Sequence, residues 1–330
     1  MFETIINMPY THCFYMGGIV GSFGTSSPAA SSIVISNADT PDTTKCDSCD
    51  FSITRPRYNW ELVDEHVIKI ALNFREELIP WNDDKKKLKK KISSISKGYL
   101  TLGLQHMTDT TIISDLRDLF NKAKEECDPC YIVEAYCKSQ SFTQCLNDSM
   151  ARIILHDISQ GCTKFSCDTL YATEDGTKSI ASIFFYHQKF ITYTGTVYRG
   201  TFNQMNFEHI KVKECIMINT FLSTSKSKEV ANTFAAYDEG TQKLDKENDP
   251  GVLSSLFTFI VKNIDGNRRA LDISGYSRIP DEEEVIILPY STFLVTKKET
   301  IALRTAKGKR IEIELEECDE NQLRSSLNQQ

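Results

Sequence analysis

Hydrophobic residues along this chain change their spacing once, and that change limits the folds open to it. From Asn59 onward they recur at helical intervals: Val63, Val67, Ile70, Phe74 and Leu78 fall on one face until Pro80 stops the run. Ile112, Leu116, Leu119 and Ala123 make a second stripe, opened by Thr108-Asp109-Thr110, and a third helical region follows Pro129 with Leu146, Met150 and Ile153 on one side. After about Leu170 the spacing moves toward two, the period of a half-buried strand. Strands are expected to end near Arg199, Ser225, Val261, Pro289 and Thr296, and a last hairpin to pair Ile301-Ala302-Leu303 with Ile311-Glu312-Ile313 around Gly308. Such a chain is expected to be α+β, with a helical N-terminal lobe over residues 57–170 leading into a mostly β core over 171–315. Residues 1–56 are rich in Ser, Thr, Gly, Ala and Pro and show neither period, so disorder is expected there; 316–330 read as a polar C-terminal tail.

Charge and cysteine usage narrow the partners. A net charge of −7 argues against nucleic acid, which draws on an excess of Lys and Arg. The one strong charge block, Lys85-Lys86-Lys87-Leu88-Lys89-Lys90-Lys91, has no aromatic residues among its lysines and reads as an exposed helix face. No stable membrane span is visible: residues 15–23 are the most apolar early stretch, but they are short, glycine-rich and preceded by no basic region. Eleven cysteines are an odd number without the spacing of a disulfide framework. The expectation is an intracellular, cytoplasmic protein with reduced thiols, a secreted form being left open. Cys46-x-x-Cys49 and Cys127-x-x-Cys130 have pair spacings that suit tetrahedral zinc, but the long stretch between them favours unpaired thiols, and no metal is expected.

The segment with the most chemistry is Asp281-Glu282-Glu283-Glu284-Val285-Ile286-Ile287-Leu288-Pro289, an acidic knot that breaks directly into a short aliphatic strand. In an extended backbone Glu282 and Glu284 project to one face while Glu283 points away. Paired carboxylates suit carbocation chemistry, one steadying positive charge while the other orients or deprotonates the attacking group. Upstream, Val197-Tyr198-Arg199-Gly200 closes an alternating run, so that Arg199 is expected at a strand end beside a glycine that leaves a ligand room to approach. Phe221-Leu222-Ser223-Thr224-Ser225 reads as a further strand, followed by a helical stretch over 226–237.

Arg, then Ser-Thr-Ser, then Glu-x-Glu, each on its own strand and in that order, resembles the Arg-Ser-Glu class of arginine-specific mono-ADP-ribosyltransferases. The resemblance covers about Tyr58 to Leu315 and is densest from Gly195 onward, with Leu256-Phe257-Thr258-Phe259-Ile260 in the place of the family's central strand and Thr292-Phe293-Leu294-Val295 after the acidic motif. Upstream, Tyr136, Ser141-Phe142 and Leu146-Asn147 look like its helical lobe. It implies a β core of two packed sheets, NAD⁺ as co-substrate and an acceptor protein bearing an exposed arginine.

Glu284 then matches the catalytic glutamate, bonding the nicotinamide-ribose hydroxyl and steadying charge at the anomeric carbon. Glu282 would hold and deprotonate the acceptor guanidinium. Arg199 would contact pyrophosphate or ribose, Gly200 would bring backbone to the ligand, and Ser223 would position both ligand and Glu284. Thr224 and Ser225 would finish the strand and cap the next helix. Tyr276 and Ser277 are candidate substrate neighbours. Tyr290-Ser291 follows a single Pro289 where some relatives carry two prolines. NAD⁺ hydrolysis, or a catalytically silent binding module, is the alternative reading.

Overall fold

The computed structural model describes residues 60–319, except 79–83, 105–108, 159–167, 204–206, 208–209, 242, 245–252, 265, 278 and 304–308. The tail 1–56 with Cys46 and Cys49, and residues 320–330, lie outside the described residues.

A short strand β1 (Trp60–Leu62) precedes the helical lobe. Helix α1 (Glu65–Glu77) starts where the Asp64 carboxylate accepts from the Val67 amide at 2.8 Å, and α2 (Lys85–Ser96) starts on Asp84 in the same way. Each such cap satisfies amides that the helix itself leaves free, worth about 1 kcal/mol. Helix α2 buries Leu88, Ile92 and Ile95, leaving Lys85, Lys86, Lys87, Lys89 and Lys90 exposed, so the lysine block is an exposed helix face. A π-helical segment, Lys97–Gly103, follows, and then α3 (Thr110–Glu126) with the expected Leu116, Leu119 and Ala123 stripe buried. The third helical region is broken at Ser139. Its extended backbone ends α4 (Cys130–Lys138), and its hydroxyl accepts from the Phe142 amide at the start of α5 (Gln140–Ile158).

The lobe does not end at residue 170. Helix α6 (Asp168–Tyr186) occupies a region expected to be β. Ile180, Ala181, Ile183, Phe184 and Phe185 are all buried, and a helix covered on several sides loses the one-sided periodicity that separates helix from strand.

The β core comprises β2 (Ile191–Thr192), β3 (Gly195–Asn203), β4 (Cys215–Ile218), β5 (Leu222–Ser225), β8 (Leu253–Val261), β9 (Ala270–Asp272), β10 (Glu284–Ile287), β11 (Thr292–Ala302) and β12 (Lys309–Glu317). Helix α7 (Lys228–Phe234) follows β5, and a separate small pair joins β6 (Tyr237–Asp238) to β7 (Lys243–Leu244). The main order is β1-β4-β11-β12-β8-β3-β5-β10-β9-β2. All neighbours are antiparallel except β12 and β8. The ladder narrows in the middle: β3 shares nine register pairs with β8 but one, Tyr198 with Ser225, with β5.

It therefore behaves as two halves. Val197, Phe257, Phe259, Phe293 and Leu315 of the larger half share one apolar cluster with Leu222, Val285, Ile287 and Ala270 of the smaller. Phe221, Ile286 and Leu288 join the cluster of the helical lobe instead. The smaller half is thus sandwiched, and by strand alternation Ser223 and Glu284 share the face that Phe221 and Ile286 turn toward the helices.

Three boundaries differ from the expectations. Strand β3 runs on to Asn203, placing Arg199 mid-strand. The last hairpin forms, but β11 is one long strand, and Ile311 and Ile313 pair with Thr300 and Lys298. Strand β12 continues two residues past 315.

Candidate active site

Glu284 opens β10 fully buried. Burial raises its carboxyl above the usual carboxylate range, while Ser223, Cys137 and Ser277 pull the other way by bonding the ionised form. The Cys137 thiol, from α4, donates to Oε2 at 3.4 Å. Oε1 is buried with no partner among the described residues. A buried acceptor left open in this way is costly unless something else supplies the donor.

Ser223 lies on β5, whose register sets it opposite Ile286, two residues along β10 from Glu284. Its hydroxyl is 3.0 Å from the Tyr136 hydroxyl, which also reaches the Phe221 carbonyl at 3.1 Å. Asn147 of α5 accepts from the Phe221 amide at 2.9 Å, so two helices hold this strand entry. Arg199 of β3 is 3% exposed, and its Nη1 donates to the Ser223 carbonyl at 2.5 Å. Burial lowers its pKa to about 10, a shift the Tyr136 hydroxyl opposes, so the guanidinium remains charged at neutral pH. The structure therefore brings Arg199, Ser223 and Glu284 from three strands to one place.

Glu282 arrives differently from the expected strand alternation. It ends a 3₁₀ turn, Pro280–Glu282, and Glu283 is left-handed at φ 46°. That left-handed residue, not a β pleat, turns the chain between the two acids, and Glu283 is exposed as expected. The Glu282 carbonyl accepts from the Ser225 hydroxyl at 2.7 Å, fixing the turn. Glu282 is half-buried, and its carboxyl is pushed up to about 7, by burial first and then by the charge of Glu284. Its Oε2, like Oε1 of Glu284, is buried without a partner among the described residues.

Within the Ser-Thr-Ser segment each hydroxyl has a distinct task. Thr224 donates to the Val285 carbonyl at 2.7 Å, tying β5 to β10. Ser225 holds Glu282 and also accepts from the Ser227 amide. Helix α7 is capped by Ser227, whose hydroxyl accepts from the Val230 amide, so the cap expected of Thr224 and Ser225 belongs two residues further on. Ser277 favours the ionised form of Glu284, whereas Tyr276 packs its ring edge-on against Phe190 at 6.1 Å.

Gly200 has a role that ligand approach does not explain. A Cβ there would lie 1.7 Å from the Ala231 carbonyl oxygen and 2.8 Å from the Ala235 amide nitrogen, both backbone of the α7 region. Only glycine lets α7 lie against β3 beside Arg199. Gly200→Ala is expected to cost roughly 3 kcal/mol or more, the upper end for overpacking, because backbone cannot swing aside as a side chain can. A chemical-denaturation midpoint unchanged from the parent protein would contradict this packing.

The sequence reading did not place Tyr136 or Cys137 in the site. They stand 87 and 147 residues from Ser223 and Glu284 respectively, and no local motif joins them. Among the described residues no group of three or more His, Cys, Asp or Glu could hold a metal ion, and Cys127 and Cys130 are free thiols. Among those residues, too, no helix is long and apolar enough to cross a membrane.

A family model described as NAD:arginine ADP-ribosyltransferase matches residues 186–322. A search of curated proteins finds no match. Among solved structures, the chain is similar to Vis toxin, an ADP-ribosyltransferase from Vibrio splendidus, at 20% identity over 63% of this chain and 86% of that one, with a TM-score of 0.35. It is also similar to the type III effector XopAI from Xanthomonas axonopodis pv. citri, at 14% identity over 78% and 95% of the two chains and a TM-score of 0.40. A third, the ADP-ribosyltransferase HopU1 of Pseudomonas syringae pv. Tomato, shows 14% identity over 78% and 99%, with a TM-score of 0.34. The stretch matched by the NAD:arginine ADP-ribosyltransferase family model, residues 186–322, is the one that holds Arg199, Ser223, Glu282 and Glu284.

Proposed function

We propose that this protein transfers ADP-ribose from NAD⁺ to an arginine side chain of an acceptor protein and releases nicotinamide. The observation that carries this reading is the pair of neighbouring carboxylates, Glu284 and Glu282, each with one buried oxygen that no group among the described residues satisfies. Ribose hydroxyls and a guanidinium are the donors such oxygens need.

The bond that breaks joins the nicotinamide nitrogen to the ribose anomeric carbon, and its electron pair leaves with nicotinamide. The ribose passes through an oxocarbenium-like state, as in glycoside hydrolysis. Glu284, in its ionised form, is suited to bond a ribose hydroxyl and steady that charge, because a fixed charge in a water-poor site needs no reorganisation as the reaction proceeds. Arg199 would hold phosphate or ribose oxygens, and its bond to the Ser223 carbonyl ties that grip to the strand carrying the positioning hydroxyl. The guanidinium nitrogen then bonds to the anomeric carbon and its proton passes to Glu282. A carboxyl pushed up to about 7 is a better base than an ordinary one and is still largely ionised just above neutrality.

The pH dependence follows in sign. Below about 7 Glu282 is protonated and loses the charge that holds a guanidinium, so transfer falls on the acid side while hydrolysis by water, which needs no such partner, falls less. The ratio of transferred label to free ADP-ribose is expected to rise as pH increases through that value. A ratio flat across neutrality would remove Glu282 from acceptor handling. The test of the function itself is incubation with labelled NAD⁺ and polyarginine, with transferred label and released nicotinamide measured together. Release without any transfer would make the protein an NAD⁺ glycohydrolase, and the absence of both would make it a silent module.

A further inference from the structure

We propose that Cys137 is a positioning residue for Glu284: its thiol fixes one carboxylate oxygen from the helical lobe so that the other stays open to the nicotinamide ribose. The inference rests on the transfer chemistry proposed above and adds a residue to it. The two oxygens of Glu284 are not equivalent. Oε2 accepts from Cys137 Sγ at 3.4 Å, and Oε1, also buried, has no donor among the described residues. The contact can have one polarity alone, because an ionised carboxylate only accepts and the thiol must donate.

The thiol is held where a positioning group needs to be. Cys137 is 2% exposed in the last turn of α4, next to Tyr136, whose hydroxyl meets Ser223. That turn is pinned from α5: the Thr143 hydroxyl lies 2.5 Å from the Tyr136 carbonyl and 3.1 Å from that of Ser139. Consecutive residues of one helix thus reach two catalytic strands, Tyr136 to β5 and Cys137 to β10. The terminal torsion of a glutamate carboxylate is broad, so a donor held on one oxygen selects the orientation of the other. Thiol donors are longer and weaker than hydroxyl donors, so Cys137 orients Glu284 while leaving it more basic than a serine there would.

The test is nicotinamide release from NAD⁺ by the 330-residue chain, followed as kcat/KM against pH, with Cys137→Ala, Cys137→Val and Cys137→Ser compared with the parent. Hydrolysis is the right reaction, since the proposed mechanism runs it without Glu282. Losing the donor disfavours the ionised carboxylate, so the acid limb in the Ala and Val variants is expected to move up by about one pH unit, with kcat about tenfold lower and KM nearly unchanged. Serine, which still donates, returns the limb to the parental position or below it. Valine fills the volume that alanine empties, so a failure of one variant to fold leaves the other to decide. A limb unmoved in both apolar variants, or a serine variant that follows them, overturns the role of Cys137 while leaving the transfer chemistry standing. A parent protein that releases no nicotinamide overturns both.

Discussion

Glu284→Gln is expected to lower nicotinamide release and ADP-ribose transfer together, each by at least about a hundredfold, and to leave the protein more stable at neutral pH. The loss of activity follows from removing one preorganised charge at the point where positive charge develops, a change that typically raises a barrier by about 3 kcal/mol or more. The gain in stability follows from the same burial. Because Glu284 is held above the usual carboxylate range, the folded state binds a proton that the unfolded chain has already released, and above the unfolded value the native protein bears the cost of a buried charge. Below the ordinary carboxylate pKa both states are protonated and that cost vanishes. The thermal midpoint of the Gln variant should therefore exceed that of the parent near neutrality and converge with it in acid. An active Gln variant would give the catalytic role to another acid, and a midpoint that falls at neutral pH would mean that Glu284 stabilises the fold it occupies.

The parts of this site that the sequence announces are those whose neighbours in sequence are also neighbours in space. Strand β10 follows its acidic knot directly, and β5 leads into its helix, so Ser223 and Glu284 could be set on strands from local pattern alone. Glu282 was expected beside Glu284 by strand alternation, yet it gets there through a 3₁₀ turn and a left-handed glutamate, a conformation that no hydrophobic pattern encodes. Gly200 was legible as a place needing no side chain, but what fills the space is the backbone of α7, and that requires tertiary packing to see. Helix α6 was missed because its apolar run is buried on several sides. Tyr136 and Cys137 were out of reach for a plainer reason: their partners lie in strands far along the chain.

Glu282→Ala separates the two halves of the proposed chemistry. Glu284 accepts from Cys137, and the Ser223 and Ser277 hydroxyls favour its ionised form; none of the three involves Glu282, so its orientation should survive. The Ser225 bond that fixes the turn goes to the main-chain carbonyl of residue 282 and is retained as well. What disappears is the carboxylate that would hold and deprotonate the guanidinium, and loss of such a base typically costs about a hundredfold or more. Transfer to polyarginine is therefore expected to fall by at least that factor while hydrolysis of NAD⁺ to nicotinamide and free ADP-ribose continues within about tenfold of the parent rate. The most direct measurement is both products from one incubation of Glu282→Ala with labelled NAD⁺ and polyarginine. Retained nicotinamide release with transfer abolished is the predicted result; equal loss of both, or arginine transfer that persists, would contradict the division of labour between the two glutamates.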